Sequence, residues 1–521
     1  MMSVRGAGLS GMLRNASVHQ FRAAWVAGVL ALLLLAPGAQ ARDATVRSFD
    51  QTAINMHFFP AAGLAAGKRA PTVLVGPGWS MAGSTDENGS SEELFGGVGV
   101  GTLRNAGYNV LTWDPRGFGQ SAGSVEVDSP DYEARDVSAL IDWLAKQPEA
   151  QLDKAGDPRV GMNGSSYGGG IQWITAARDP RVDAITPNIS WNSLSSSLDK
   201  DGALKFGWGS LLCGIGVEGS LIPGGLMNPD GLQLMRLDPH LFNTCVNGIV
   251  NGKMAPADAA WFAAHGPDLL LSKVKIPTLI TQGTADTLFP LEEAIRNYAS
   301  LRGRGVPVKM VWFCGGHGVC LTGSGEAGHI EHAVLTWLAR YLKRDTSVAT
   351  GPRFEWLADD AKWRSGADYP LPRRGSLTAV TGQKTLPIAP ISPSGALILA
   401  TPAVNAVEVA LPAASGAAHL VGEPTLKLTY SGLAVPGATH VYAQIVDGSG
   451  HVVGNQATPI PVTLDGLTHT IERPLEAIAA EAVAGSSYKL QITPATTLYT
   501  AQRSAGALTF GRIEISLPIA G

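Results

Sequence analysis

The chain has 521 residues, which at roughly 100–200 residues per domain allows two or three domains. Its composition, 45% hydrophobic and 16% charged, is that of a globular protein with ample material for a core and excludes a disordered chain. A formal net charge of −4 argues against a nucleic-acid partner, because phosphate binding needs a basic patch.

Residues 1–41 read as a targeting segment. Arg5, Arg14 and Arg22 form a basic leader, residues 23–35 form an apolar run too short to span a bilayer comfortably, and Ala39-Gln40-Ala41 supplies an A-x-A cleavage site. The alternative reading is a membrane anchor. No cysteine stands at the cleavage point, so lipid attachment there is not supported. Cleavage would remove three arginines and no acid, taking the net charge from −4 to −7. It would leave an exported protein, periplasmic or secreted, with no stable membrane anchor.

Residues 71–78 (Pro-Thr-Val-Leu-Val-Gly-Pro-Gly) read as a buried strand ending in a turn, and residues 109–113 as a second strand. Across 131–146, Val137, Leu140, Ile141 and Leu144 fall at helical spacing, and Pro148 stops the helix. A strand at 159–163, a helix at 168–178 and a strand at 183–190 follow. Strands alternating with helices predict an α/β fold with a parallel sheet covered on both faces, here over residues 42–190. Residues 191–272 lack strand alternation and read as a mostly helical cap. The core resumes over 273–345, with strands at 277–281 and 308–312. Its closing helix at 330–343 carries Ile330, Val334, Trp337, Leu338 and Tyr341 on one face. Residues 346–394 read as a connection containing proline and arginine. From 395 to 521, short alternating strands separated by turns such as Asp447-Gly448 and Asp465-Gly466 predict an all-β jelly roll or sandwich.

The chemistry centres on Gly164-Ser165-Ser166-Tyr167-Gly168, a G-x-S-x-G sequence between a predicted strand and a predicted helix. In that context the glycines admit a sharp turn that holds the Ser166 hydroxyl out at the carboxyl edge of the sheet. Ser165 occupies an x position and is not the expected nucleophile. A serine hydroxyl needs an adjacent base, and in this arrangement the acid and then the histidine follow in chain order. Asp286, in the loop after the strand at 277–281, and His317, after the strand at 308–312, stand at those places. The oxyanion hole would take the backbone N–H of Tyr167 and a second N–H from the loop Gly78-Trp79-Ser80, assigned to Trp79. His329 and His332 start the last helix and are read as solvent-facing or capping. Asp114-x-Arg116-Gly117 reads as a structural turn below the site.

Gly97-Val98-Gly99-Val100-Gly101 lacks dinucleotide-loop spacing, Gly168-Gly169-Gly170 lacks the lysine of a phosphate loop, and His329-Ile330-Glu331-His332 is not H-E-x-x-H. No cofactor and no metal are expected. The four cysteines, Cys213, Cys245, Cys314 and Cys320, suggest two disulfides in an exported chain. Of the three possible pairings, Cys213–Cys245 and Cys314–Cys320 are favoured because each pair lies within one segment. Four buried thiols are the alternative, and zinc is disfavoured because no C-x-x-C is present.

With these residues in place, the chain resembles the X-prolyl dipeptidyl-peptidase and cocaine esterase family of serine hydrolases. The elbow Gly164-Ser165-Ser166-Tyr167-Gly168-Gly169 is similar to that family's G-x-S-Y-x-G. The order of core, cap, Asp286, His317 and β tail matches, and so do Trp363, Tyr369-Pro370, Gly422-Glu423-Pro424 and Ile515-Ser516-Leu517-Pro518. The resemblance implies a hydrolase of esters and amides acting on a small-molecule or peptide substrate. In some members a tyrosine hydroxyl lines the oxyanion hole; here Trp79 holds that loop position. An X-Pro dipeptidyl-peptidase is the first rival reading and would need an acid for the substrate ammonium, with Glu218, Asp230 and Asp238 available in the cap. A non-catalytic binding protein on a hydrolase scaffold is the second.

Overall fold

The computed structural model describes residues 39–91, 96–221, 236–320, 322–390 and 398–521. The leader and apolar run read at residues 1–38 lie outside them. Among the described residues no helix is long and apolar enough to cross a membrane.

The first sheet is built from ten strands: β1 (Arg42–Arg47), β2 (Ala53–Phe59), β3 (Thr72–Gly76), β4 (Asn109–Trp113), β5 (Val160–Ser165), β6 (Val182–Asn188), β7 (Thr278–Gly283), β8 (Val308–Phe313), β9 (Phe354–Leu357) and β10 (Trp363–Gly366). Their order is β1-β2-β4-β3-β5-β6-β7-β8-β9-β10. Neighbours from β4 through β9 pair in parallel, and antiparallel pairs close both edges. The strands at 109–113, 278–283 and 308–313 are buried along their whole length, and their mainly apolar sequences suit a sheet covered by helices on both faces.

Among the described residues, five helices accompany this sheet: α1 (Val100–Asn105), α2 (Glu133–Leu144), α3 (Tyr167–Arg178), and, after the cap, α8 (Leu291–Gly303) and α9 (His329–Tyr341). The cap between them holds α4 (Leu194–Leu198), α5 (Phe206–Gly219), α6 (Pro239–Asn251) and α7 (Pro256–Ala264). Helix α2 buries the expected Val137, Leu140, Ile141 and Leu144 face. Asp238 caps α6 by accepting the His240 N–H at 2.7 Å. The predicted disulfides are formed, Cys213–Cys245 joining α5 to α6 and Cys314–Cys320 closing a loop after β8.

The second sheet is antiparallel and comprises β11 (Arg373–Thr381), β12 (Lys384–Ile388), β13 (Val407–Ala410), β14 (Ala418–Gly422), β15 (Thr425–Asp447), β16 (Thr458–Asp465), β17 (His469–Pro474), β18 (Ile478–Ala482), β19 (Tyr488–Thr493) and β20 (Ala505–Ala520). Its inward residues form a separate core around Leu428, Val441, Leu490, Phe510 and Ile515.

The segment read as a connection, 346–394, is not one. It supplies β9 and β10 to the first sheet and β11 and β12 to the second, so the core runs on to Gly366 and the β domain starts at Arg373. Its prolines and arginines sit between strands and on exposed edges, where they do not oppose pairing.

The β domain grips both core and cap. Gln456 Nε2 donates to the Asp286 carbonyl at 2.8 Å, and the Thr500 N–H donates to Leu204 O at 2.9 Å. Lys200, in the turn between α4 and α5, bridges Glu292 of α8 and Glu476 of the β domain.

Candidate active site

Ser166, Asp286 and His317 follow the carboxyl ends of β5, β7 and β8. Open α/β sheets bind ligands at that edge.

Ser166 stands between β5 and α3 with φ 57° and ψ −117°, a conformation disfavoured for any residue bearing a Cβ. The flanking glycines make it possible. A Cβ on Gly164 would come within 2.6 Å of Gly76 O and 2.8 Å of Gly168 O, so the elbow can press against the end of β3 only without side chains. The Ser166 N–H is held by Asn188 O at 2.9 Å. Asn188 also donates from Nδ2 to Ser165 Oγ at 2.8 Å, which ties that neighbouring hydroxyl to β6.

His317 joins the other two residues. Its Nε2 lies 2.7 Å from Ser166 Oγ, and its Nδ1 lies 2.8 Å from Asp286 Oδ2. An ionised carboxylate only accepts, so Nδ1 carries the proton and Nε2 offers its lone pair to the Ser166 hydroxyl. Asp286 is fully buried, and both its oxygens are occupied: Oδ2 also accepts the His317 N–H at 3.1 Å, and Oδ1 accepts the Leu288 and Phe289 N–H groups, each at 2.9 Å. Four donors converge on one carboxylate, which fixes the imidazole. The Cys314–Cys320 disulfide brackets the loop that carries His317.

Tyr167 opens α3, so its N–H is among the first amides of a helix, which have no partner within the helix. The Gly78–Met81 turn is closed by Met81 N–H to Gly78 O at 3.2 Å and does not use the Trp79 amide, while Ser80 takes φ 70°. The indole of Trp79 points elsewhere: it donates to Leu212 O of α5 at 3.0 Å and packs edge-on against Phe118 and Tyr167. Ser80 Oγ donates to Ile215 O at 2.6 Å, so this loop and the cap helix are locked together.

Behind Tyr167 lies a buried acidic network that no sequence pattern announces. The Tyr167 hydroxyl accepts the Asp128 N–H at 3.2 Å and approaches Glu133 Oε1 at 3.5 Å. Glu133 also accepts the Glu126 and Ser129 N–H groups at 2.7 and 2.9 Å. It thereby holds a loop in which Val127 and Asp128 both have positive φ. Burial pushes Glu133 up to about 8 and raises Asp128 well above its ordinary value, with the Glu133 charge adding to the latter. Neither Asp128 oxygen has a hydrogen-bond partner among the described residues.

A pocket of about 890 Å³, counting the part open to solvent, rises from Ser166 and Tyr167 into the cap. Trp79, Trp191, Leu288 and Phe289 line its base, and facing residues of α5 and α6, including Cys213 and Cys245, form its sides. No charged side chain lines it among the described residues. Of the acids proposed for a substrate ammonium, Asp238 is committed to its helix cap, Glu218 is exposed outside the pocket, and Asp230 lies outside the described residues.

The other candidates behave as structural groups. Asp114 accepts the Gly83 and Gln120 N–H groups, and Arg116 pairs with Asp136, so this turn shapes the scaffold as expected. His329 departs from expectation. It is not a solvent-facing cap but stacks on Trp363 at 3.7 Å and pairs with Glu355 at 3.0 Å, because β9 and β10 pack beside the start of α9.

Residues 55–215 match the family model described as X-Pro dipeptidyl-peptidase (S15 family). Over that stretch the chain is similar to this family. The fold extends over nearly all of two solved structures. A CocE/NonD family hydrolase from Staphylococcus aureus is 14% identical with a TM-score of 0.64, over 92% of this chain and 93% of that one. An alpha-amino acid ester hydrolase is 15% identical with a TM-score of 0.67, over 92% and 96%. At these identities the likeness concerns the fold. An uncharacterized 31.7 kDa protein of Escherichia coli is 34% identical over 86 residues, 16% of this chain and 28% of that protein. The chain thus spans less than a third of the length of the first curated relatives it matches.

Proposed function

We propose that the protein hydrolyses carboxylic esters through a Ser166 acyl-enzyme. The observation that carries this reading is the placement of His317 between Ser166 Oγ at 2.7 Å and Asp286 Oδ2 at 2.8 Å. As Ser166 Oγ attacks the ester carbonyl, its proton passes to His317 Nε2 and Asp286 stabilises the imidazolium. The Tyr167 and Trp79 amides receive the charge that develops on the carbonyl oxygen. Collapse of the tetrahedral adduct breaks the bond to the leaving alcohol, which takes the proton from Nε2. Water activated by the same nitrogen then releases the acid and restores the serine.

An ester is favoured over an Xaa-Pro peptide by the pocket. A dipeptidyl-peptidase must hold an α-ammonium, and burying that charge without a counter-charge is costly. The described lining offers none. Two disulfides support export to an oxidising compartment, in keeping with the leader read in the sequence.

The test is fluorophosphonate labelling together with turnover of p-nitrophenyl acetate and Gly-Pro p-nitroanilide. Labelling and ester turnover that vanish in Ser166→Ala support the proposal. Cleavage of Gly-Pro p-nitroanilide without ester turnover would move the assignment to a dipeptidyl-peptidase. Absence of both activities and of labelling would leave a binding protein on this scaffold.

A further inference from the structure

We infer that Gly209 sets the length of the acyl chain this hydrolase accepts, and that its substrates are esters of uncharged, unbranched acyl groups of medium length. The inference rests on the ester hydrolase reading and names its substrate class.

Helix α5 carries five glycines in 14 residues, a composition unfavourable to a helix. Two of them have a packing reason. A Cβ on Gly216 would lie 2.7 Å from the Trp79 ring, and one on Gly219 would collide with Ser80, so these two let the helix settle on the oxyanion loop. Gly214 meets nothing, but it is exposed on the outer face and does not line the pocket. Gly209 is different. It lines the pocket, and a Cβ built on it meets no atom within 4 Å. Packing does not demand a glycine there; the missing side chain leaves space inside the cavity.

Residues of two helix faces line the cavity. On α5, Phe206, Gly209, Cys213 and Gly216 fall on one stripe, and on α6, Leu241, Cys245 and Gly248 fall on another. At a rise of ~1.5 Å per residue these stripes run about 15 and 10 Å. An extended octanoyl chain, with C–C bonds of ~1.5 Å, spans roughly 9 Å and fits that length. The Cys213–Cys245 disulfide ties the stripes together, so the walls are not free to spread around a bulky branched group. With no charged side chain among the described lining residues, a charged acyl group would enter without a partner.

The experiment measures kcat/KM for p-nitrophenyl acetate, butanoate and octanoate in the wild type and in Gly209→Ala, Gly209→Leu and Gly209→Phe. Each methylene kept out of an apolar site loses roughly fourfold in affinity. The octanoate-to-acetate ratio should therefore fall in the order Ala, Leu, Phe, by about 250-fold for Phe if four methylenes are displaced. Acetate turnover should stay within about threefold, as the Cβ position is unobstructed. An unchanged ratio in Gly209→Phe overturns the assignment, and so does a parallel loss on both esters, which would mean that α5 itself was damaged. Labelling of Ser166 by a short-chain fluorophosphonate separates the two levels of inference. If the wild type is not labelled, the hydrolase reading fails. If Gly209→Phe is labelled normally and keeps its octanoate preference, only the role of Gly209 fails.

Discussion

Replacing Asp286 by asparagine tests the active-site geometry most directly. The carboxylate accepts four hydrogen bonds, two at each oxygen. An amide of the same shape has one accepting oxygen and one NH2 group that only donates. The Leu288 and Phe289 N–H groups belong to the main chain and cannot turn away, so the amide oxygen is drawn to them. The NH2 group then faces His317. The imidazole can answer by moving its proton from Nδ1 to Nε2, but Nε2–H is no base for Ser166. With the opposite orientation the NH2 opposes two backbone donors, and the loop after β7 is strained instead. The loss in kcat should be about 10⁴-fold, as for a triad held in the wrong tautomer, or about 5 kcal/mol of barrier. KM for a short ester should change little, because Asp286 does not line the pocket. The unpaired donors should also cost about 1–3 kcal/mol of stability. Stopped-flow and steady-state hydrolysis of p-nitrophenyl acetate, with urea unfolding on the same preparation, give both quantities. A folded Asp286→Asn enzyme that keeps kcat within tenfold of the wild type would refute the reasoning, since the base would then not depend on the Asp286 hydrogen bond.

Three further outcomes follow from the same contacts. Tyr167→Phe removes the acceptor of the Asp128 N–H while leaving the Tyr167 amide in place, so urea unfolding should show a loss of about 1–3 kcal/mol with kcat reduced less than about tenfold. Asp128→Asn should stabilise the protein increasingly as pH rises above about 4. In the wild type, burial keeps the folded carboxyl protonated after the unfolded one has ionised, so the folded state binds more protons and wild-type stability falls with pH. Denaturant midpoints of both proteins at pH 5 and pH 8 measure this, and a gap that narrows with pH would contradict it. Removing Cys213–Cys245, whose cysteines are 32 residues apart, should cost about 3–4 kcal/mol, against about 2 kcal/mol for Cys314–Cys320 with its separation of 6. The order should reverse for kcat, because the shorter loop carries His317. Alanine pairs compared by calorimetry and ester turnover would show whether it does.

The parts of this molecule that were legible in its sequence are those where a local rule operates. A strand feeding G-x-S-x-G, and loops at the ends of two later strands, identify Ser166, Asp286 and His317 because each is tied to its own strand. Apolar periodicity marks α2 because its buried face needs only spacing of 3.6 residues. Helix α8 carries a comparable stripe at Leu291, Ala294, Tyr298 and Leu301. What was not legible depends on partners supplied from far away. Strands β9 and β10 look like parts of a connection because their pairing is decided by β8 and by each other, not by their composition. Glu133 reads as the first polar residue of a helix, and only the fold brings Tyr167 and the 126–129 loop onto its carboxylate.

Gln456 marks that limit most sharply. It lies in the β domain, 170 residues beyond Asp286, and no local pattern singles it out. Yet its side chain donates to the Asp286 carbonyl, while Thr287 Oγ1 of the same loop donates to Ile398 O at 2.8 Å. The β domain therefore fixes the backbone that presents the acid. Asp286 in turn fixes His317, so the geometry at Ser166 depends on the docking of a separate core. A hydrolase core cut at Gly366 would keep all three residues and the sheet that carries them. It would lose the contacts that hold the acid loop, so its loss of turnover should be far larger than its loss of helical signal.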